Sequence, residues 1–573
     1  MMRTIQKLPR IFVSLLLLIL GACDSEHHGE VISATGTHGV VVAAHQIAAD
    51  IGLDVLKSGG NAVDAAVATG LACGVVDQFN SGIGGGGFII IRMTEGTVYT
   101  IDGRETAPAA ATRDMYLRDG EFDPDLSQEG PLAVGVPGIL AAYAKALQLA
   151  GTRTLTELIS PSIEVAERGF ELDSTYILRY NDGIERLKDD PPSARIYLRP
   201  DGSALNEGDI LTQLDLAKTY RRIADEGPDY FYRGEFAERL AKYMSENGGL
   251  ITLEDMAGYS ARVREPIVGR YRDCEIIGMA PPSSGGVHIV QILNMLEASG
   301  LLREKTDWDM NTIFWTSRFM RKAFEDRALH LGDTDFYPVP IEHLPGKEYA
   351  DSCVNAIMNA RVPTPEKPDE RRLAFGHTTN FCVIDQWGNA AVVNQTVNLT
   401  YGAKITLPGT GVILNNEMDD FSAQPGVPNA FGLIGSEANS IAPGKRPLSS
   451  MSPTIVVRDG KPVLMLGGAG GPVIITAVLE MIVDVLDFGN ELAAAQSQPR
   501  FHHQFRPDVI VVEDAVSNWT RLGLLLKTRK PAVRASKVLK EQLGRVNAIA
   551  WSEEEQAYVG VPDPRGRGGV AGY

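Results

Sequence analysis

Residues 376–389 read GHTTNFCVIDQWGN, and the fold turns on this stretch. Thr379–Asp385 predicts a β-strand, because β-branched and aromatic residues dominate it. Gln386-Trp387-Gly388-Asn389 predicts a turn, and Ala390–Val397 a second strand. Just upstream, residues 362–372 (VPTPEKPDERR) concentrate proline and charge and predict an exposed linker. Thr378 and Thr379 therefore stand where a linker becomes a strand. Taken alone, a threonine at that position is unremarkable.

Outward from this hairpin the chain mixes both element types. Gly39–Ala44 predicts a strand and His45–Gly60 a helix, with Ile47, Ile51 and Val55 on one face and Gly59-Gly60 at its C-terminal end. Residues 135–345 carry mostly helical patterns, among them Val287–Leu296 after PPSSGG, and Ile313–Leu331, whose charges predict a mixed surface face. A further strand pair is expected within 454–467, around Arg458-Asp459-Gly460. A helix-rich region thus precedes a strand-rich one.

Composition narrows the function classes. The chain has 573 residues, 44% hydrophobic and 22% charged, enough apolar material for a globular core. Its 54 basic and 72 acidic side chains leave a net charge of −18, which argues against the basic face that nucleic-acid binding requires. The N-terminus carries Arg3, Lys7 and Arg10, then the apolar run IFVSLLLLIL. That is a secretory signal pattern, too short for the ~20 residues a membrane-spanning helix needs. Leu20–Cys23 (LGAC) resembles a bacterial lipobox, which implies cleavage before Cys23 and lipid on that cysteine. The expectation is an exported, periplasmic, membrane-anchored lipoprotein; ordinary signal cleavage to a soluble periplasmic protein is the alternative. The other cysteines, Cys73, Cys274, Cys353 and Cys382, lack metal spacing and are expected as free buried thiols.

Three patterns carry no chemistry on this reading. Gly82, Gly84 and Gly87 make a literal GxGxxG, but a strand-like run, Phe88–Arg92, follows where a nucleotide-binding loop would open a helix. Close backbone packing is the expectation there. His502-His503 would point to opposite faces of a strand, so no metal site is expected, and no cofactor. A GxSxG serine elbow is absent.

The threonine pair gains meaning from ordered company. VNQTVNLTYG, LNNEMDDFSAQPGVPN, KRPLSSMSPTIVV, GGAGG, QPRFHH and the terminal AGY follow it. DGRETAPAAATRDMY, NGGLITLEDMAGY and PPSSGGVHIVQILN precede it. From about residue 35 to Tyr573 this series resembles the γ-glutamyltransferase family of the N-terminal nucleophile hydrolase superfamily. The resemblance implies an α/β (α+β) fold, a four-layer αββα sandwich formed by two subunits cut from one precursor. The implied pieces are a signal peptide (1–22), a tether (23–36), a large subunit (37–377) and a small catalytic subunit (378–573).

The resemblance also assigns roles. Cleavage between His377 and Thr378 would free the Thr378 amine, and Thr378 would become the nucleophile. A threonine hydroxyl needs such a base. Thr396 matches the threonine that hydrogen-bonds the nucleophile, and Gly470 and Gly471 match an oxyanion hole. Arg104, Ser449 and Ser450 match the binders of a substrate α-carboxylate; Asn398, Glu417 and Asp420 match those of its α-ammonium. Phe431 falls in a lid segment where relatives carry Tyr. The implied substrates are glutathione and other γ-glutamyl compounds, with water, amino acids or peptides as acceptors. A glutaryl (cephalosporin) acylase and a non-catalytic γ-glutamyl-peptide-binding lipoprotein are the alternatives.

Overall fold

The computed structural model describes residues 31–360, 378–528, 533–534, 543–566 and 568–573. The signal segment, Cys23, the expected linker and His377 lie outside the described residues.

Two seven-stranded sheets form the centre. In chain order their strands are β1 (Ala34–Gly36), β2 (Gly39–Ala43), β3 (Gly86–Arg92), β4 (Val98–Gly103), β5 (Arg262–Arg264), β6 (Ile267–Tyr271), β7 (Cys274–Gly278), β8 (Thr378–Asp385), β9 (Ala390–Thr396), β10 (Thr454–Arg458), β11 (Lys461–Ala469), β12 (Arg545–Ser552), β13 (Ala557–Val561) and β14 (Gly569–Gly572). One sheet runs β14-β2-β8-β9-β3-β4-β5, the other β1-β13-β12-β11-β10-β7-β6. The expected hairpins at 379–397 and 454–467 are β8–β9 and β10–β11. The region read as a tether through residue 36 ends earlier: Ala34–Gly36 is already an edge strand, paired antiparallel with Tyr558–Gly560.

Strand alternation builds the layers. Val40, Val42, Phe88, Ile90, Cys382, Ile384 and Val392 face the second sheet and share a core with Ile455, Met465 and Ile549 on its inner face. Their alternates, Val41, Ile89, Phe381, Val383 and Val393, face outward into a second core. All eight residues of β8 are buried, because both faces are covered. Each fully buried Val, Ile or Phe contributes about 1.5–3 kcal/mol.

Helices cap both outer faces. On the β8 side lie α1 (Gln46–Lys57), α2 (Ala62–Val76) and α3 (Ile139–Ala150); on the other side α4 (Gly285–Ser299), α5 (Met310–His330), α6 (Lys347–Asn359) and α7 (Val473–Leu486). The result is the αββα sandwich. Helix α2 starts at a capping box between Asn61 and Asp64, and every one of its residues is buried. It is built of small residues because its neighbours press close: a Cβ on Gly70 would collide with the Tyr143 hydroxyl. The same crowding corrects the expected face of α1. Ala48, Ala49, Gly52, Leu53 and Leu56 are its buried residues, while Ile47, Ile51 and Val55 are only partly covered. Gly52 abuts Thr69 of α2, so the small side of α1 turns inward. Cys73, Cys274, Cys353 and Cys382 are buried free thiols.

Candidate active site

The β8–β9 register sets Thr378 directly opposite Thr396. Thr378 Oγ1 donates to Thr396 Oγ1 at 3.3 Å, and the Asn398 amide donates to Thr396 Oγ1 at 2.9 Å. Asn398 holds φ +77°, the left-handed region that asparagine tolerates better than most residues. The adjacent Thr379 points to the opposite face, where its hydroxyl donates to Asp77, the residue that ends α2. Burial raises the Asp77 carboxyl to about 6, against the lowering effect of Thr379 and the other donors around it. The pleat alone therefore divides the threonine pair, one hydroxyl to the space between the sheets and one to the helices.

The glycine series at 82–87 supports this register. Strand β3 follows it, as the sequence implies. Gly85 lies against the Thr396 carbonyl and Gly84 against the Ile413 carbonyl, too close for a Cβ at either position.

A cleft of about 290 Å³ contains Thr378 and Thr396. Its other walls bring together residues from across the chain: Arg104, Asn398, Glu417, Asp420, Phe431, Ser449, Ser450 and Gly471. A second cavity of about 600 Å³ reaches the start of β8 from the other side, past Asp77, Arg179 and Arg545. Arg104 follows β4 and is fully buried. Its Nη1 donates to Glu417, its Nη2 to Asp420, and its Nε to the Pro447 carbonyl at 3.1 Å. Glu417 is fixed by its own amide, which donates to Asn415 Oδ1 at 3.0 Å. Asn415 also donates to the Gly84 and Gly135 carbonyls, 2.8 Å each, tying the acid to the glycine loop.

Charge is concentrated here. Glu105 lies 3.8 Å from Arg104, and among the described residues neither of its carboxylate oxygens has a hydrogen-bond partner. Burial, then the neighbouring Glu417 charge, pushes Glu105 well above the usual carboxylate range. Burial raises Glu417 and Asp420 as well, with Arg104 opposing it. Three carboxylates thus surround one guanidinium.

On the facing wall, Ser449 Oγ accepts the Met451 amide at 3.1 Å. Gly470 (φ +130°) and Gly471 (φ +63°) turn the chain from β11 into α7. Gly471 reaches the cleft, whereas Gly470 lies behind it against Val473 and Gly544. Among the described residues the α7 N-terminus has no side-chain cap, and Gly471 and Ile474 at that end line the cleft. Phe431 is 4% exposed, and its carbonyl accepts from Gln504 Nε2 at 2.9 Å.

The structure thus gathers every sequence-indicated residue it describes, with Gly470 one residue removed from the cleft. The site also takes in Glu105, Asp77, Asn415 and Arg327, which the sequence does not single out. Arg327 and Asp326 sit in a charged run of α5 read as a surface face, yet they are 6% and 1% exposed. That correction is tertiary in origin: α5 packs under the Ser449-Ser450 segment, and no local pattern announces it. His502 is likewise buried; it bonds Thr476 Oγ1 and Gln504, and burial pushes it down to about 3.

The chain is similar to known proteins over most of its length. A family model described as Gamma-glutamyltranspeptidase matches residues 48–573. The chain is 43% identical over 534 residues to a glutathione hydrolase proenzyme of Escherichia coli (strain K12), covering 92% of this chain and 90% of that one. A crystal structure of cephalosporin acylase from Bacillus halodurans superposes with TM-score 0.82 at 26% identity, over 96% of this chain and 98% of that one. A crystal structure of Helicobacter pylori gamma-glutamyltranspeptidase gives TM-score 0.53 at 40% identity, over 56% of this chain and 91% of that one. The chain belongs to the gamma-glutamyltranspeptidase family.

Proposed function

We propose that the chain is the precursor of a γ-glutamyltransferase/glutathione hydrolase that cuts itself before Thr378 and then uses Thr378 as nucleophile. The observation that carries this is one cleft holding a strand-start hydroxyl beside a guanidinium, two acids and two serines. A zwitterionic amino-acid head fits that set. Its carboxylate suits the Arg104 fork and the Ser449 and Ser450 hydroxyls. Its ammonium suits Asn398, Glu417 and Asp420.

In the precursor, Thr378 Oγ attacks the His377 carbonyl carbon, the acyl group shifts from N to O, and water hydrolyses the ester. The freed Thr378 amine, with an ordinary pKa of about 7.7–8.0, then takes the hydroxyl proton during catalysis. The hydroxyl attacks the γ-amide carbonyl of glutathione or a related compound, and the amine leaves with a proton. The Gly471 amide and the start of α7, at the end of the cleft, stabilise the developing oxyanion. Water, an amino acid or a peptide then takes the γ-glutamyl group from Thr378.

A glutaryl acylase is the second reading, favoured by the whole-chain likeness to a structure titled cephalosporin acylase. Glutaryl lacks an α-ammonium, so it would leave Glu417 and Asp420 without a ligand charge. Relative turnover of γ-glutamyl and glutaryl anilides separates the two. N-terminal sequencing of the smaller fragment tests processing, with Thr-Thr-Asn-Phe expected; an uncut active chain, or a Thr378→Ala chain that still divides, would overturn it. The N-terminal pattern supports export with lipid on Cys23, and mass spectrometry of the mature large fragment tests that.

A further inference from the structure

We infer that Arg327 is a positioning residue for donor specificity: it sets the hydroxyl direction of Ser450, and through Ser284 the backbone of Ser449, so that both serines donate to the α-carboxylate of the donor. This rests on the γ-glutamyl reading and extends it to a residue outside the cleft wall.

Arg327 sits in the last turn of α5, 6% exposed. Its Nη2 donates to Ser450 Oγ at 3.4 Å and its Nε to Ser284 Oγ at 3.2 Å. Ser284 in turn donates its hydroxyl, at 2.7 Å, and its amide, at 2.8 Å, to the Ser449 carbonyl. A guanidinium only donates, so Ser450 oxygen must accept from it, and the Ser450 proton must point elsewhere. Ser449 is arranged alike, its oxygen accepting from the Met451 amide. Among the described residues neither hydroxyl donates to a protein group, and both line the cleft. Two proton donors thus converge where a carboxylate would lie across from Arg104.

The charge is as important as the geometry. Burial pushes Arg327 down to about 10, and Asp420 opposes that shift while Arg104 adds to it. Even so lowered, it stays a cation at neutral pH. A second cation behind the serines offsets the acids grouped on Arg104 and leaves the serine wall receptive to an anion.

The test compares a γ-glutamyl anilide with the 4-aminobutyryl anilide, its analogue lacking the carboxylate, in the processed enzyme. Wild type should strongly prefer the first. Arg327→Met should raise KM for the γ-glutamyl donor about tenfold or more, leave kcat within a few-fold, and leave the decarboxylated donor unchanged. Arg327→Lys, which keeps charge but not the fork, should lie between and serves if Arg327→Met fails to fold, with normal division into two fragments as the folding check. In Ser450→Ala, adding Arg327→Lys should cost less than it does in wild type. Equal losses on both donors, or additive effects with Ser450→Ala, would overturn the positioning role while leaving the γ-glutamyl reading standing. A wild type that divides normally but turns over no γ-glutamyl anilide would overturn both.

Discussion

The Arg104 guanidinium is held by Glu417 through one Nη and by Asp420 through the other, with side chains 0%, 1% and 11% exposed. The cation suited to a substrate carboxylate is thus already neutralised by the acids suited to the substrate ammonium. A zwitterion can exchange with this pair charge for charge, whereas a simple anion or cation would leave one partner bare.

Arg104→Met should therefore abolish turnover and also destabilise the fold. Breaking a buried pair costs about 3–5 kcal/mol, because the abandoned acids remain buried. The triple variant with Glu417→Gln and Asp420→Asn should recover most of that stability and none of the activity. Thermal unfolding and anilide turnover measure the two effects separately; a stable Arg104→Met single variant would contradict the pairing.

Glu105 should behave differently from its neighbours. Burial, and then Glu417, push its carboxyl well above the usual carboxylate range, and among the described residues its oxygens have no hydrogen-bond partner. Glu105→Gln should leave turnover at pH 7 within a few-fold and should not lower the unfolding temperature. A loss comparable to Glu417→Gln would show that its charge is needed.

The hydroxyl of Thr396 bridges Thr378 and the Asn398 amide. Thr396→Val keeps the shape and removes that bridge. A neutral hydrogen bond is worth about 0.5–1.5 kcal/mol, so kcat should fall roughly 2–10-fold with little change in KM. Thr396→Ser should restore most of it. Gly85→Ala reaches the same residue from behind: its Cβ would strike the Thr396 carbonyl, and both folding yield and kcat should suffer.

Asp484 on α7 gives a pH signature remote from the cleft. Burial raises its carboxyl from 3.8 to about 8, with the Trp308 indole, which donates at 2.9 Å, and the Arg500 and Arg565 charges opposing and Asp307 reinforcing. A folded-state pKa above the unfolded one stabilises the fold fully below pH ~4, and that contribution is lost as pH rises through about 8. Asp484→Asn should flatten the fall in unfolding temperature between pH 5 and 8. An unchanged slope would mean that the carboxyl ionises in the fold as it does in the unfolded chain.

What the sequence determined by itself was local or ordered along the chain. The two hairpins, α4, α5 and the strand after the glycine loop follow from period, turn residues and β-branched runs. The site residues were legible only because their motifs recur in family order. Tertiary structure decided the rest. The buried face of α1 was set by how closely Gly52 approaches α2, a packing limit that periodicity does not express. Arg327 and Asp326 read as surface charges until α5 was laid beneath the serine segment. Glu105 is pushed above the usual carboxylate range by burial first and then by Glu417, more than 300 positions away, and only the tertiary structure supplies either. Thr378 itself shows the division. Sequence marked a threonine pair at a strand start, but the strand's pleat and its register with Thr396 gave the cleft one hydroxyl and sent the other to Asp77.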